Sequence, residues 1–468
     1  MQDERLKKDI RYHASVLYEK NTDMLTIDDI IAATGGKVIW SSSDAFTGVS
    51  IDSRTVKEGE LFIAIKGKRF DGHDFLQEAL KRGSGAIVSF PPAEPIRGKT
   101  IIQVKDTLKA LQDIAHHRRL MRDIPVIGIT GSNGKTTTKE LIATILSTRY
   151  RVLKNTGNLN NHIGLPLSLT RISDADEIIV LEMGASAPGE IKELCEIAMP
   201  HYGVLTNISH AHLEGFKDIE TVRKTKLELL ERVVVAVVNA DDSFLMEGIL
   251  ASRFKGEVIR YGIKNYAEIH ATDIDLHEKG STFLLHTDGG RSIEVHPKLS
   301  GMFNVFNILA AASIGHLFHI DLEYIKNAID SFTAVPMRLE IKELDGIMVI
   351  SDVYNANPAS MEEAIKEIIR LKKGRAIAVL GDMLELGSYG EEAHRRLGRW
   401  MSELPLDIFI AVGPLMSLAA SEFSGSVYAL QNALEARELL KSICKAGDTV
   451  LIKGSRGIGM EKVMADGS

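Results

Sequence analysis

The chain has 468 residues, too many for one ordinary hydrophobic core, so two to four domains are expected. With 44% hydrophobic and 25% charged residues it reads as a soluble globular protein, not a disordered or fibrous one. A net charge of −7 without a long polybasic run argues against nucleic acid as a partner, and the two distant cysteines, Cys195 and Cys444, exclude a disulfide framework.

Residues 1–23 read as a charged extension without the apolar stretch of a signal peptide. No segment approaches the ~20 apolar residues of a membrane helix, so a cytoplasmic protein without membrane insertion is expected. From 24 to 122, apolar runs such as Leu61-Phe62-Ile63-Ala64 and Gly85-Ala86-Ile87-Val88 alternate with helical stretches, which predicts a small α/β domain.

A second domain, 123–334, opens with the compact strand Val126–Thr130, a Gly-rich turn and a helical pattern over Thr136–Ser147. Further buried strands are predicted at Ile178–Leu181, Gly203–Thr206 and Val233–Val238, each a helix-sized interval apart, as a parallel sheet requires. Between Ala267 and His296 the pattern turns to alternation, with turns at Glu278-Lys279-Gly280 and Asp288-Gly289-Gly290, and predicts an antiparallel meander at the sheet edge. The third domain, 335–468, has strands at Ala376–Leu380, Ile408–Val412 and Thr449–Ile452, spaced for a doubly wound, Rossmann-like sheet. The fold class is therefore α/β in three domains.

Strand, Gly-rich turn, Lys, Thr and helix follow one another over Val126–Thr138, the context in which a phosphate-binding loop works. The glycines let backbone N–H groups turn toward phosphate oxygens, and the helix N-terminus adds positive potential. Lys135 would reach the β- and γ-phosphates and the Thr136 hydroxyl would sit on Mg²⁺. Ile129 stands where such loops usually carry their first glycine. ATP is the ligand expected. Glu182, after the strand Ile178–Leu181, would emerge beside the loop, where a carboxylate commonly holds Mg²⁺.

Three other runs leave alternatives open on their residues alone. His210 and His212 follow a strand but are weak as a metal pair, and the amphipathic stretch Ile219–Arg232, with Lys224 and Lys226, reads as a solvated basic stripe. Asn158-Leu159-Asn160-Asn161 either caps a helix or cradles a substrate. Asp352-Val353-Tyr354-Asn355-Ala356-Asn357-Pro358 reads as a turn at the boundary of the second and third domains, either a ligand cleft or a rigid linker.

Together these runs resemble the Mur ligases over nearly the whole chain from Leu25 onward. Within that family the likeness is to the branch that joins D-alanyl-D-alanine to UDP-MurNAc-tripeptide. It rests on Asp52-Ser53-Arg54, Gly59–Ala64 and Phe70-Asp71-Gly72-His73-Asp74-Phe75 in the first domain. In the second it rests on Thr130-Gly131-Ser132-Asn133-Gly134-Lys135-Thr136-Thr137, a family spelling that accounts for Ile129, on Asn158–Gly164, Leu181–Ala185 and Ala211–Phe216. In the third it rests on Tyr354–Pro358, Leu380-Gly381-Asp382-Met383-Leu384-Glu385-Leu386-Gly387 and Lys453-Gly454-Ser455-Arg456. Leu380–Gly387 separates this branch best from the sister ligases.

The resemblance implies an ATP-dependent amide ligase whose two Mg²⁺ sites are built from Thr136 and Glu182, and from His212 and a carbamylated Lys226. It assigns Gly131–Thr137 and Lys135 to the phosphates, Asn304 and Asn307 to the adenine side, Arg338 to the phosphates at a hinge, and Asp352 to the ribose. Phe303 stands where the family often carries histidine. Ser53, Arg54, Asp71 and His73 fall in the uridine-nucleotide domain, and Asn158, Asn160, Asn161, Tyr354, Asn355 and Asn357 in substrate loops. Lys453, Ser455 and Arg456 are candidates for the dipeptide carboxylate, which favours Arg and hydroxyl donors. The partners implied are UDP-MurNAc-tripeptide and D-alanyl-D-alanine, with a monomer as the default. A folate- or cyanophycin-type ligase lacks the first-domain motifs and Leu380–Gly387. A nucleotide-switched binding protein needs neither a second metal site nor an amine acceptor.

Overall fold

The computed structural model describes residues 24–67 and 69–464, so the charged extension lies outside the described residues. The described chain forms two compact units.

The first unit takes residues 24–122 together with Pro166–Asp176. Its sheet runs in the order Lys37–Trp40, Thr100–Gln103, Gly85–Val88, Glu60–Ile63, Gly48–Ser50, parallel except for the first pair. Val56, Phe62, Leu76, Ala86 and Ile101 form part of its core. Pro166–Asp176 falls within the span 123–334 that the sequence assigns to the second domain. It groups here because Arg118 on the helix Thr107–Leu120 donates to the Ile172 carbonyl at 2.5 Å and Arg122 pairs with Asp174.

The second unit holds two sheets. The larger runs Arg291–Val295, Gly280–Thr287, Ile269–His277, Glu257–Gly262, Val235–Asn239, Tyr202–Leu205, Val126–Thr130, Ile178–Glu182, Val152–Lys154. The last seven are parallel, and the four central ones, Val235–Asn239, Tyr202–Leu205, Val126–Thr130 and Ile178–Glu182, are almost continuously apolar, as strands buried on both faces must be. The edge meander turns at Glu278–Gly280 and Asp288–Gly290 as expected, with antiparallel pairing. The helices Lys135–Leu146, Met302–Leu317 and Leu322–Ser331 close one face around Ile127, Val180, Leu309 and Ile325.

The register sets up the chemistry. Glu182 pairs with Ile129 and Leu205 with Thr130, so Glu182, Gly131 and Thr206 emerge together at the carboxyl edge, where parallel α/β sheets bind ligands.

The smaller sheet runs Glu340–Leu344, Ile347–Asp352, Thr449–Lys453, Ala376–Gly381, Ile408–Val412, Ser426–Leu430. Its first two strands are a hairpin that the sequence reading passed over, turned by Asp345 and Gly346 at φ 52° and 76°. Asp-Gly is a strong signal for such a two-residue turn. The run Asp352–Pro358 is therefore not a linker between domains. It leaves the carboxyl end of an inner strand, with Asp352 beside Lys453 in the ladder.

Candidate functional site

The phosphate-type loop is built from close approaches that only glycine allows. A Cβ at Gly131, φ 142°, would lie 2.0 Å from Thr206 Oγ1, and one at Gly134, φ 81°, 2.3 Å from Asn307 Oδ1. The helix Lys135–Leu146 starts at Gly134 without a side-chain cap, which leaves its first-turn N–H groups to an anion. A second loop braces this one. Asn133 N donates to Asn207 Oδ1 at 3.0 Å, Asn207 Nδ2 and Thr206 Oγ1 donate to Asn133 O at 3.1 and 2.6 Å, and Ser209 N donates to Ser132 Oγ at 2.8 Å.

Lys135 Nζ donates to the carbonyls of Gly131 and Ser132 at 2.8 and 3.1 Å. It keeps partial exposure to the cavity, yet the protein packed around it lowers its pKa by desolvation; Glu182 opposes that shift and Arg338 adds to it. Thr136 Oγ1 donates to Glu182 Oε2 at 2.8 Å and accepts from Arg338 Nη2 at 3.0 Å. The buried Glu182 also accepts from Asn160 Nδ2 at 2.7 Å. Asn155, itself buried, holds the Glu182 backbone from both sides: Glu182 N donates to its Oδ1 and its Nδ2 donates to Glu182 O, each at 2.9 Å. A hydroxyl and a carboxylate converging at the mouth of the loop are the oxygen donors that Mg²⁺ takes.

Lys226 departs from the solvated stripe expected of its helix. The α-helix Ile219–Leu227 buries it, 2% exposed, with Nζ at 3.4 Å from Ala185 O and 5.5 Å from the centre of the Phe216 ring. Desolvation, with the Lys135 charge second, pushes its pKa down to about 7. The stretch continues as a 3₁₀ turn over Glu228–Glu231. His212 lines the cavity in left-handed backbone, φ 54°, and its buried Nδ1 lies 2.5 Å from Glu385 Oε2, an ion-pair approach out of hydrogen-bond alignment. His212 holds the Glu385 carboxyl below its ordinary pKa.

A cavity of about 720 Å³ joins these groups to the smaller sheet. Arg338 stacks on Tyr354, its guanidinium 4.0 Å from the ring centre, between Met337 and Leu339 at φ 65° and 46°. Asn357 accepts from Ser360 N at 3.0 Å as the N-cap of the helix Pro358–Leu371, and its amide donates to Asn133 Oδ1 at 2.7 Å. On the far side, Thr138 Oγ1 donates to Asn307 Oδ1 at 3.2 Å, and Asn307 Nδ2 to Asn304 Oδ1 at 3.1 Å.

The Mur ligase middle domain matches residues 129–315, the Mur ligase glutamate ligase domain residues 337–456, and the Mur ligase family catalytic domain residues 45–119. The UDP-N-acetylmuramoyl-tripeptide--D-alanyl-D-alanine ligase of Bacillus subtilis is 35% identical over 440 residues, 90% of this chain and 92% of that one. The chain belongs to the Mur ligase family. Among solved Mur ligases, the crystal structure of MurF from Acinetobacter baumannii shares 32% identity at a TM-score of 0.88, covering 96% of this chain and 99% of that one. MurF of Thermotoga maritima, solved in complex with ADP, shares 31% at a TM-score of 0.78, covering 89% and 96%. The three-domain Mur ligase architecture is thus the one this chain adopts.

Of the expected Mur ligase residues, Ser132, Asn133, Gly134, Lys135, Thr136, Thr137, Asn158, Asn160, Asn161, Glu182, His212, Asn304, Asn307, Arg338, Asp352, Tyr354, Asn355, Asn357 and Lys453 line the cavity. Lys226 stands behind its wall at Ala185. Lys453 is 1% exposed, and its ammonium pairs with Asp352 and donates to Asn355 O at 3.0 Å. Ser455 is buried and accepts from Leu384 N at 2.8 Å. Arg456 alone of that trio keeps an exposed guanidinium, 59% exposed, and it does not line the cavity.

Ser53, Arg54, Asp71 and His73 belong to the first unit. Arg54 is exposed and forks onto Asp52, holding that carboxyl at about 2, while the Ser53 carbonyl accepts from Arg82 at 3.1 Å. Asp71 accepts from His73 N and Nδ1 at 3.0 and 2.7 Å, and the His73 ring stacks on Phe90 at 4.3 Å. Sequence reasoning missed Asn155, Asn207 and Glu385 as site residues. Each sits inside a run it had singled out or two to three residues from one, but nothing local says which loop a carboxamide or carboxylate will meet.

Proposed function

We propose that this chain is an ATP-dependent ligase that joins D-alanyl-D-alanine to the tripeptide carboxylate of UDP-MurNAc-tripeptide, acting as a monomer in the cytoplasm. The observation that carries the reading is the convergence of Lys135, Thr136, Glu182, His212 and Arg338 in one cavity, in a chain that matches ligases so named over nine-tenths of its length. Among the described residues no helix is long and apolar enough to cross a membrane.

A carboxylate is a poor acyl donor near neutral pH, so it needs activation. In this reading the tripeptide carboxylate attacks the γ-phosphate of ATP, ADP leaves, and an acyl phosphate forms. The dipeptide amine then attacks the acyl carbon, the new amide keeps the acyl group, and phosphate departs. Two anions must approach one another first. Lys135 and Arg338 supply positive charge at that point, and the N–H groups at the start of Lys135–Leu146 hold the phosphates.

Mg²⁺, when bound, screens phosphate charge and draws electron density from the γ-phosphorus. Thr136 with Glu182 would hold one ion, and His212 with a carbamylated Lys226 a second. The depressed pKa of Lys226 supports that modification, because only the neutral amine takes up CO₂. Asn304 and Asn307 face the base and Asp352 the ribose, with Lys453 holding Asp352 in place. Asn158, Asn160, Asn161, Tyr354, Asn355 and Asn357 line the substrate side. Ser53, Arg54, Asp71 and His73 serve the uridine nucleotide, and Arg456 the dipeptide carboxylate.

The test is phosphate release. It should require both the UDP-sugar peptide and D-alanyl-D-alanine, with a product of the summed mass less water. ATP hydrolysis indifferent to either substrate would refute the assignment.

A further inference from the structure

The loop after the strand Ala376–Gly381 is tied down on its own side. Asp382 Oδ1 accepts from Met416 N at 2.6 Å, Met383 N donates to His394 Nε2 at 3.0 Å, and Leu384 N donates to Ser455 Oγ at 2.8 Å. Met383 and Leu386 are buried in the core of the smaller sheet. Between them Glu385 turns the other way, in left-handed backbone at φ 64°, which a non-glycine residue adopts only when its surroundings hold it there.

What it meets is the loop that carries His212. Glu214 N donates to Glu385 O at 3.0 Å, and Glu385 Oε2 stands 2.5 Å from His212 Nδ1. Gly387, φ 56°, packs so closely that a Cβ would lie 3.1 Å from Glu214 Cα, and Tyr389 stacks on His210 with ring centres 5.1 Å apart. Four contacts thus join one loop of the smaller sheet to one loop of the larger, with His212 at the middle and on the cavity wall. A carboxylate this close to one ring nitrogen favours a proton on that nitrogen by its charge, and the contact restrains the ring where it lines the cavity.

We propose that Glu385 is a positioning residue: seated on His212 and Glu214, it holds the imidazole against the cavity, so that the carboxylate is activated only while the smaller sheet is docked. The reaction named here rests on the ligase reading; the loop-to-loop contact does not. The consequence is order. A site that assembles His212 only on docking withholds phosphoryl transfer until the domain bearing the amine is in place, which protects the acyl phosphate from water.

The experiment uses the full chain with Glu385→Gln and Glu385→Ala, read by hydrogen exchange and by steady-state kinetics across a Mg²⁺ titration. Glu385→Gln keeps the backbone bond to Glu214 and removes the charge. We expect turnover to fall about 10–100-fold and half-saturating Mg²⁺ to rise, with the KM for ATP within about twofold of wild type. In Glu385→Ala, residues 210–216 should also exchange faster, while the helix Lys135–Leu146 keeps its protection. Wild-type turnover and Mg²⁺ dependence in Glu385→Gln would overturn the proposal, as would equal loss of protection in both segments. If wild type shows no substrate-dependent phosphate release, the ligase reading fails, and the exchange data still judge the contact.

Discussion

In the proposed ligase, the second cation position depends on carbamylation of Lys226. Its pKa of about 7 leaves about half of the side chain uncharged at pH 7, against roughly 0.03% for a lysine at its ordinary 10.5. Since CO₂ adds only to the free amine, burial raises the reactive fraction about a thousandfold. Carbamate should therefore accumulate as pH rises from about 6 to 8, where an exposed lysine would remain ammonium. The assay is ¹³C NMR of the protein in ¹³C-bicarbonate, with Lys226→Met as the blank, alongside turnover in CO₂-stripped buffer before and after bicarbonate is restored. A carbamate carbon in wild type alone, and at least about a tenfold loss of turnover on stripping, are expected.

The same burial has a stability signature in CO₂-free buffer. The folded-state pKa lies below the unfolded one, so the buried ammonium destabilises the fold fully below pH 7 and progressively less as pH rises toward 10.5. Lys226→Met lacks that penalty, which is at most about 5 kcal/mol for such a shift. It should be the more stable protein at pH 6, with the gap closing by pH 10. No labelled carbon in wild type at pH 8, or wild-type turnover in Lys226→Met, would refute the reasoning.

Gly131→Ala should abolish ATP binding, measured by calorimetry, because its Cβ would sit 2.0 Å from Thr206 Oγ1 in backbone at φ 142°; unchanged affinity would mean the loop tolerates movement. Glu182→Gln keeps the volume but removes the charge that faces Thr136 and Asn160, and turnover should fall at least about 100-fold while melting shifts by only a few degrees. Asn357→Ala should lower stability by about 1 kcal/mol in denaturant titrations through the lost helix cap and weaken ATP in calorimetry through the lost bond to Asn133, whereas Asn133→Ala should weaken ATP while leaving the cap intact. Arg456→Ala should raise the apparent KM for the dipeptide about tenfold, since its guanidinium is the exposed one of the three candidates; an unchanged KM removes it from the carboxylate site.

What the sequence by itself determined is whatever is local in the chain. A compact, largely apolar strand, glycines where the backbone must turn, and Lys-Thr opening a helix define the loop at 131–136 without reference to anything distant. The meander turns at Glu278–Gly280 and Asp288–Gly290 were legible for the same reason, since turn chemistry is written in adjacent residues. The hairpin at Asp345-Gly346 carried that signal too and was passed over.

Tertiary structure decided the rest. Whether Lys226 is solvated or buried depends on Ala185 and Phe216, which lie about 41 and 10 residues away, and helical periodicity alone left it on the solvated side. The segment Pro166–Asp176 joins the first unit through Arg118 and Arg122, contacts that no local pattern announces. The loop 131–136 identifies a nucleotide, but the side chain that meets His212 is Glu385, more than 170 residues downstream, a carboxylate whose partner only the folded chain supplies. Charge, burial and strain at the site are properties of neighbours in space, and the sequence lists neighbours only along the chain.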